Sequence, residues 1–393
     1  MKTVAIIAEF NPFHNGHKYI IEKAKEITKA DKVIIIMSGA FTQQGNIAII
    51  DKFTRAEIAS LYGADLVLEL PTIFATSGAE MFARGAINIL NSLNIVDYIA
   101  FGTECDDISI LQSIAKKITD NDSLLNEKIK ENIKKGISYA SARNDALKNI
   151  LTEVEYMQIA TPNNILAIEY LKSLILLNSS IKPVGIKRNT ANHNDINVTI
   201  NSTFSSATSI REQVQKGIIE SIIPYAPKET CEVLEKVVSN NDMYSLLRFA
   251  ILQSDVANLK NIYEISEGLE NKIKSSSITS RTYSELLNSV KSKRYTMGRI
   301  KRILAHILLN IKHEDFEFLK DVAYARVLKV KDKDILSTLS KKSTIPVISN
   351  INEKILSILN EKVQTSLNLD FNAENIYSIV ETSTLNKDRI NKL

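Results

Sequence analysis

The stretch "TVAIIAEFNPFHNGHKYI", Thr3 to Ile20, decides the fold. An apolar run rich in β-branched residues ends at one carboxylate, Glu9. A turn follows, holding Asn11-Pro12 and Asn15-Gly16. From His17 to about Lys29 the spacing is helical. A strand buried on both faces and followed at once by a helix opens a parallel βαβ unit. The alternation then repeats. "DKVIIIMSG" (Asp31–Gly39), "ADLVLELP" (Ala64–Pro71) and "VDYIAFGT" (Val96–Thr103) read as strands, with helices over Phe53–Tyr62 and Gly78–Leu93 between them. These elements predict an α/β fold, a doubly wound, Rossmann-like parallel sheet. Its ligand crevice lies beyond the carboxyl ends of the strands. There the chain places Asn11–His17, Ser38-Gly39, Pro71 and Gly102-Thr103.

The 393 residues suffice for two domains. Strand signals continue through "IKPVGIKRN" (Ile181–Asn189) and thin out after Gly217. Residues 218–393 read as a helix-rich C-terminal domain, with short strands near Ala323–Val330 and Ser343–Ser349. Two cysteines 126 positions apart form no disulfide framework. Glu9 interrupts the first apolar run, and no run approaches the roughly 20 residues that span a bilayer. A cytoplasmic protein that engages no membrane is expected.

The formal net charge of +4 is unevenly spread. Between Asn271 and Arg302 stand nine basic residues and one acid, Glu285; the remainder of the chain is mildly acidic. Such a segment predicts a polyanionic partner. Its core, "KSKRYTMGRIKRILAHILL", has an apolar helical face at Ile300, Ile303, Leu304, Ile307 and Leu308. Lys291, Lys293, Arg294, Arg299, Lys301 and Arg302 are the candidate nucleic-acid contacts. Tyr295 and His306 are candidates to stack on an unpaired base.

His14-Asn15-Gly16-His17 has two readings. As a plain strand-to-helix turn, the glycine fits the bend and the histidines lie on the surface. As a phosphate site, the glycine lets the backbone approach an anion at a helix N-terminus, and two imidazoles donate to the transferring phosphoryl group. A metal reading needs a third ligand, for which only His193 is near in sequence, and the pattern does not support it. A matching half lies almost 190 residues on. In "SSATSIR" (Ser205–Arg211) small hydroxyls open a helix one turn before an arginine, a second anion cradle. Alone it would be an N-cap on an ordinary surface helix.

The two halves resemble the HxGH nucleotidylyltransferase superfamily. More narrowly, "EFNPFHNGH", "MSGAF", "ADLVLELP", "FARGAINIL", "FGTE", "PNNILAIEY", "SATSIR" and "KSKRYTMGRIKRILAHIL" together resemble the tRNA(Met) cytidine acetate ligase family. That resemblance implies two steps. ATP and acetate give acetyl-adenylate and pyrophosphate; the acetyl group then passes to the wobble cytidine of elongator tRNA(Met), forming N4-acetylcytidine. It implies ATP as substrate with Mg2+ and no tightly bound cofactor. Residues 1–217 would be the catalytic domain and 218–393 the tRNA-binding region. His14 and His17 would be catalytic. ATP would meet Ile7, Ala8, Glu9, Phe10, Asn11, Pro12, Phe13, His14, Asn15, Gly16, His17, Lys18, Tyr19 and Ile20. Gly102, Asn163, Arg188, Ser206, Thr208, Ser209 and Arg211 would complete that set.

In "FTQQGNIAII" (Phe41–Ile50) the family carries an arginine and a glutamate-proline, and this chain has Gln44 and Asn46-Ile47. That loop is therefore given no charged catalytic role. A small acetate pocket would draw on Phe10, Phe13, Phe41 and Phe101. Asp65 and Glu69, about 13 Å apart along a strand, are too distant to share a proton. Glu104 suits either magnesium or loop packing, and Cys105 is read as incidental. The alternatives are a cofactor-making adenylyltransferase of the same superfamily and a non-catalytic tRNA-binding protein.

Overall fold

The computed structural model describes residues 1–137, 139–159, 161–187, 205–292 and 294–390. Arg188, His193 and Lys293 lie outside them. Seven strands form one sheet in the order β5-β4-β1-β2-β3-β6-β7. They are β1 (Thr3–Ala8), β2 (Lys32–Ser38), β3 (Leu66–Leu70), β4 (Tyr98–Thr103), β5 (Lys182–Lys187), β6 (Ala325–Val330) and β7 (Val347–Ile348). Strands β1 to β5 are parallel, as the alternation with helices predicts.

Each strand splits its side chains by parity between two cores. Ala5, Ile34, Ile36, Leu66 and Leu68 face one side. Val4, Ile6, Val33, Ile35, Met37 and Val67 face the other. This is why the strands read as unbroken apolar runs. The order reverses between β1 and β4, since β2 and β3 extend one way and β5 the other. In sheets of this kind ligands bind at such a reversal.

The expected late strands exist, and they join this same sheet. β6 pairs antiparallel with β3, and β7 runs parallel to β6. The sheet therefore crosses the sequence boundary at residue 217. The helix Met297–Leu309 buries Ile300, Ile303, Leu304 and Ile307, the face its spacing predicts. It packs on the helices Tyr244–Gln253 and Glu361–Glu381.

Two clusters outside the crevice were invisible as clusters in the sequence. Lys52, fully buried at the start of α2 (Lys52–Leu61), places its ammonium 2.8 Å from Glu69 of β3 and 2.9 Å from Asp388 near the C-terminus. Glu374 stands 4.0 Å away, and Arg326 approaches Asp388 at 3.7 Å. Arg55, also fully buried, donates to the carbonyls of Glu9, Ser38 and Gly39 and to Ile50, stapling the ends of β1 and β2 together. Asp65 is structural, accepting the Val33 N–H at 2.8 Å.

Candidate active site

After Glu9 the chain turns sharply. Phe10 adopts φ 48°, a left-handed conformation that costs an aromatic residue about 1–2 kcal/mol. Packing holds it there. Phe10 and Phe13 are buried edge to face at 4.9 Å, and Phe13 stacks on Tyr62 at 5.5 Å. Both phenylalanines also pack against the His17 ring, at 4.9 and 5.7 Å. They buttress the histidine from the core side. Phe41 is likewise buried, and Phe101 is buried against Tyr170.

His14 is the N-cap of α1 (Asn15–Thr28), and its ring stacks on that of His17 at 3.7 Å. The Gly16 N–H donates to His14 Nδ1 at 3.0 Å, and the His14 N–H donates to His17 Nδ1 at 3.2 Å. Each Nδ1 is therefore an acceptor, which puts the proton of each neutral ring on Nε2. Two parallel imidazoles thus have their Nε2–H donors set by the backbone.

Gly16 meets a packing need of this turn. A Cβ there would lie 2.8 Å from Cε1 of His14, so glycine makes room for the capping ring. The amides of the first turn are engaged within the protein. Asn15 N–H donates to Tyr225 O, Gly16 to His14 Nδ1 and His17 to His14 O.

The second half comes to the first. Arg211 Nη1 donates to Asn11 O at 2.7 Å, and Nη2 donates to Thr208 Oγ1 at 3.0 Å. Asn11 Oδ1 accepts the Ile49 N–H, tying in the loop between Phe41 and Ile50. Burial pulls the Arg211 guanidinium below its usual pKa, and nearby Glu9 opposes that shift. Burial pushes the Glu9 carboxyl up, against the Gln43 N–H that it accepts at 2.7 Å and the charges of Arg211 and Arg55. Ser206 is an N-cap whose hydroxyl accepts the Ser209 N–H. Ser209 is buried.

At the other lip, Gly102 lies half-buried in β4. Glu104 accepts from Thr161, Asn163 and the Asn164 N–H, and Asn164 accepts from Thr103. Glu104 thus sews β4 to the helix Pro162–Leu176, the packing role, and brings Asn163 beside the crevice. No group of three His, Cys, Asp or Glu among the described residues could hold a metal. Ile7 and Ala8 are the half-buried end of β1; Tyr19 and Ile20 pack on the core below α1, and Lys18 lies over the Tyr62 ring. Cys105 is buried and donates to the Asp107 carbonyl.

The basic segment divides. Arg302 makes a two-pronged ion pair with Glu264, both bonds 3.0 Å, and Arg299 donates to Glu264 O and Ser266 Oγ. Tyr295 is buried with its hydroxyl on Ser266 O. His306 is fully buried between the carbonyls of Tyr263 and Thr76, and burial lowers its pKa. Neither ring is placed to stack on a base. Lys291 and Arg294 are exposed. Lys301 is half-buried.

Comparison with known proteins agrees with this geometry. A family model described as HIGH Nucleotidyl Transferase matches residues 1–392. A tRNA(Met) cytidine acetate ligase of Thermoanaerobacter sp. (strain X514) is 40% identical over 388 residues, 96% of this chain and 95% of the relative. The one from Clostridium perfringens (strain SM101 / Type A) is 39% identical over 402 residues, 99% of this chain and 98% of its own. The crystal structure of apo Thermotoga maritima TmcAL superposes with a TM-score of 0.91 at 33% identity, covering 98% of this chain and 96% of that one. The same protein bound with alpha-thio ATP gives 0.89 at 32% identity, over 100% and 97%.

Proposed function

This chain belongs to the tRNA(Met) cytidine acetate ligase family of the HIGH nucleotidyl transferases, and from that premise we propose that it activates acetate with ATP and acetylates the wobble cytidine of elongator tRNA(Met). The observation that carries the reading is the pair of stacked imidazoles after β1, each with its Nδ1 accepting a backbone N–H, in a turn whose Asn11 carbonyl is held by Arg211. An acetate oxygen attacks the α-phosphorus, and the bond to the bridging oxygen breaks. The His14 and His17 Nε2–H groups meet the charge that builds on the non-bridging oxygens, and Arg211 meets the departing pyrophosphate. The cytidine N4 amine then attacks the acetyl carbonyl carbon, releasing AMP. Magnesium would enter on the nucleotide as part of the substrate, since the residues gathered at the phosphate end are imidazole and guanidinium.

The exposed Lys291 and Arg294, in the helix-rich part of the chain, supply tRNA phosphate contacts in this reading. A tRNA substrate supports a cytoplasmic location, and no described helix is long and apolar enough to cross a membrane. Two measurements test the proposal. Labelled pyrophosphate should exchange into ATP only when acetate is present. Mass spectrometry of nucleosides from tRNA incubated with ATP and acetate should show N4-acetylcytidine. Exchange that requires a nucleotide or a pantetheine phosphate instead would make this a cofactor-forming adenylyltransferase.

A further inference from the structure

The loop between Phe41 and Ile50 contains no charged residue, and it folds back as a short hairpin. The Thr42 N–H donates to Asn46 O and the Ala48 N–H to Ala40 O, both at 2.9 Å, with Phe41 paired to Ile47 between them. In such a pair each residue's own N–H points away from the other. The Ile47 N–H therefore leaves the hairpin, and Asn240 Oδ1 accepts it at 3.0 Å. Asn240 Nδ2 also donates to Asn46 Oδ1 at 2.8 Å. One asparagine of the helix-rich region thus grips two successive loop residues. Nearby, the Val238 N–H donates to Ile49 O at 3.2 Å. Gly45, at φ +76°, closes on the helix Met297–Leu309, where a Cβ would fall 2.5 Å from the Arg302 amide nitrogen.

The same loop holds the turn after β1. The Gln43 N–H donates to Glu9 Oε1 at 2.7 Å, and the Ile49 N–H donates to Asn11 Oδ1 at 2.9 Å. These two acceptors flank Phe10, whose left-handed φ of 48° starts the turn. Asn11 O in turn receives Arg211 at 2.7 Å. Gln43 Nε2 is itself tied to Ser77 O at 3.0 Å. The loop is therefore a strut. Asn240 fixes its tip, and its two arms fix both neighbours of Phe10.

We propose that Asn240 is a positioning residue for adenylate formation: it touches no reacting atom, and through this strut it holds the turn that aims His14 and His17. The proposal rests on the ATP-dependent reading above. A strained backbone conformation persists only where its surroundings over-determine it. Packing fixes the Phe10 ring, and the strut fixes the residues on either side. Without Asn240 the Ile47 N–H and Asn46 Oδ1 lose their partners and turn toward water, and the arms move with them. A misplacement of about 1 Å costs a reaction on the order of 100-fold. The imidazole donors meet charge that builds in the transition state, so the cost falls on the rate rather than on ATP binding. An ordinary packing contact is the rival reading. It predicts lower stability with the rate per folded molecule unchanged.

The test is pyrophosphate exchange, with rates normalised to the folded fraction read by circular dichroism. Asn240→Leu keeps the side chain's size and removes both bonds. Its maximal exchange rate should fall about tenfold or more, with the KM for ATP within about threefold of the unaltered protein. Asn240→Asp keeps an acceptor for the Ile47 N–H and offers its second oxygen to a rotated Asn46 amide; its rate should stay within about twofold. Asn46→Ala, which removes one of the two bonds, should lose about threefold and keeps the test decisive where Asn240→Leu fails to fold. An unchanged rate in either truncating variant, a raised KM at constant rate, or an aspartate variant as slow as the leucine one would overturn the proposal. Exchange is measured with whichever acceptor supports it in the unaltered protein. A requirement for an acceptor other than acetate would thus sink the acetate reading and leave the variant ratios to be judged on their own.

Discussion

His14 and His17 act as one unit because each is oriented by the backbone of the same turn. Gly16 is the residue that permits it. A methyl group at 16 would press on the His14 ring at 2.8 Å while leaving the helix intact. Gly16→Ala is therefore expected to leave the melting temperature unchanged or raise it, as alanine favours helix by about 0.5–1 kcal/mol. Acetate-dependent pyrophosphate exchange should still fall about tenfold or more, because the donors lose their aim. The two readouts moving in opposite directions separates a displaced ring from a damaged fold. His17→Ala should abolish exchange while tRNA affinity stays within about threefold, as the ring lies far in sequence from the exposed basic residues. Unchanged exchange in that variant would remove the histidine from the chemistry.

At the scale of the element, the helix Met297–Leu309 does three jobs with neighbouring residues. Its apolar face seals the core, Arg299 and Arg302 clamp the segment around Glu264, and its backbone at Lys301 and Arg302 receives the turn at Gly45. Sequence reading treats these basic residues as equivalent; the fold does not. Arg302→Ala leaves the largely buried Glu264 without its partner and should cost about 2–4 kcal/mol by chemical denaturation. It should leave the salt dependence of tRNA binding unchanged. Replacing Lys291 and Arg294 together should do the opposite, lowering the logarithmic salt slope by about 1–2 with little change in stability. A reduced slope in Arg302→Ala would return that arginine to the tRNA surface.

Across the whole molecule, the cluster around Lys52 ties the first helices to the last residues. Burial pushes Glu69 and Glu374 up to about 8, against the pull of Lys52. Among the described residues neither oxygen of Glu374 has a hydrogen-bond partner. In the unfolded chain these carboxyls release their protons near pH 4.5, whereas the folded protein retains them to about 8. The folded state then binds more protons across that window, so stability falls as pH rises from about 5 to 8. Thermal melting should show this decline. Glu374→Gln removes one titrating group and should both raise the melting temperature at pH 8 and flatten the slope. An unaltered slope would show that Glu374 ionises freely. Glu69 also underlies Gly39, where a Cβ would come within 2.3 Å of its carboxylate. The residue that follows β2 thus rests on a carboxyl that Lys52 holds at 2.8 Å.

The amino-acid sequence determined the parallel sheet, the crevice and the two phosphate motifs. Periodicity and turn residues act over a few positions, and "AEFNPFHNGH" and "SSATSIR" carry their chemistry locally. Only the tertiary structure decided which groups face which. It packed Phe10 and Phe13 against His17 and set Gly16 beside the His14 ring. It brought β6 and Asp388 back to strands formed 250 or more positions earlier. It divided a uniform basic run into clamp and surface. The physical reason is that charge pairing and close packing depend on through-space distance. A lysine three bonds of helix from an arginine can meet a different partner, because each helical step turns the side chain by about 100°.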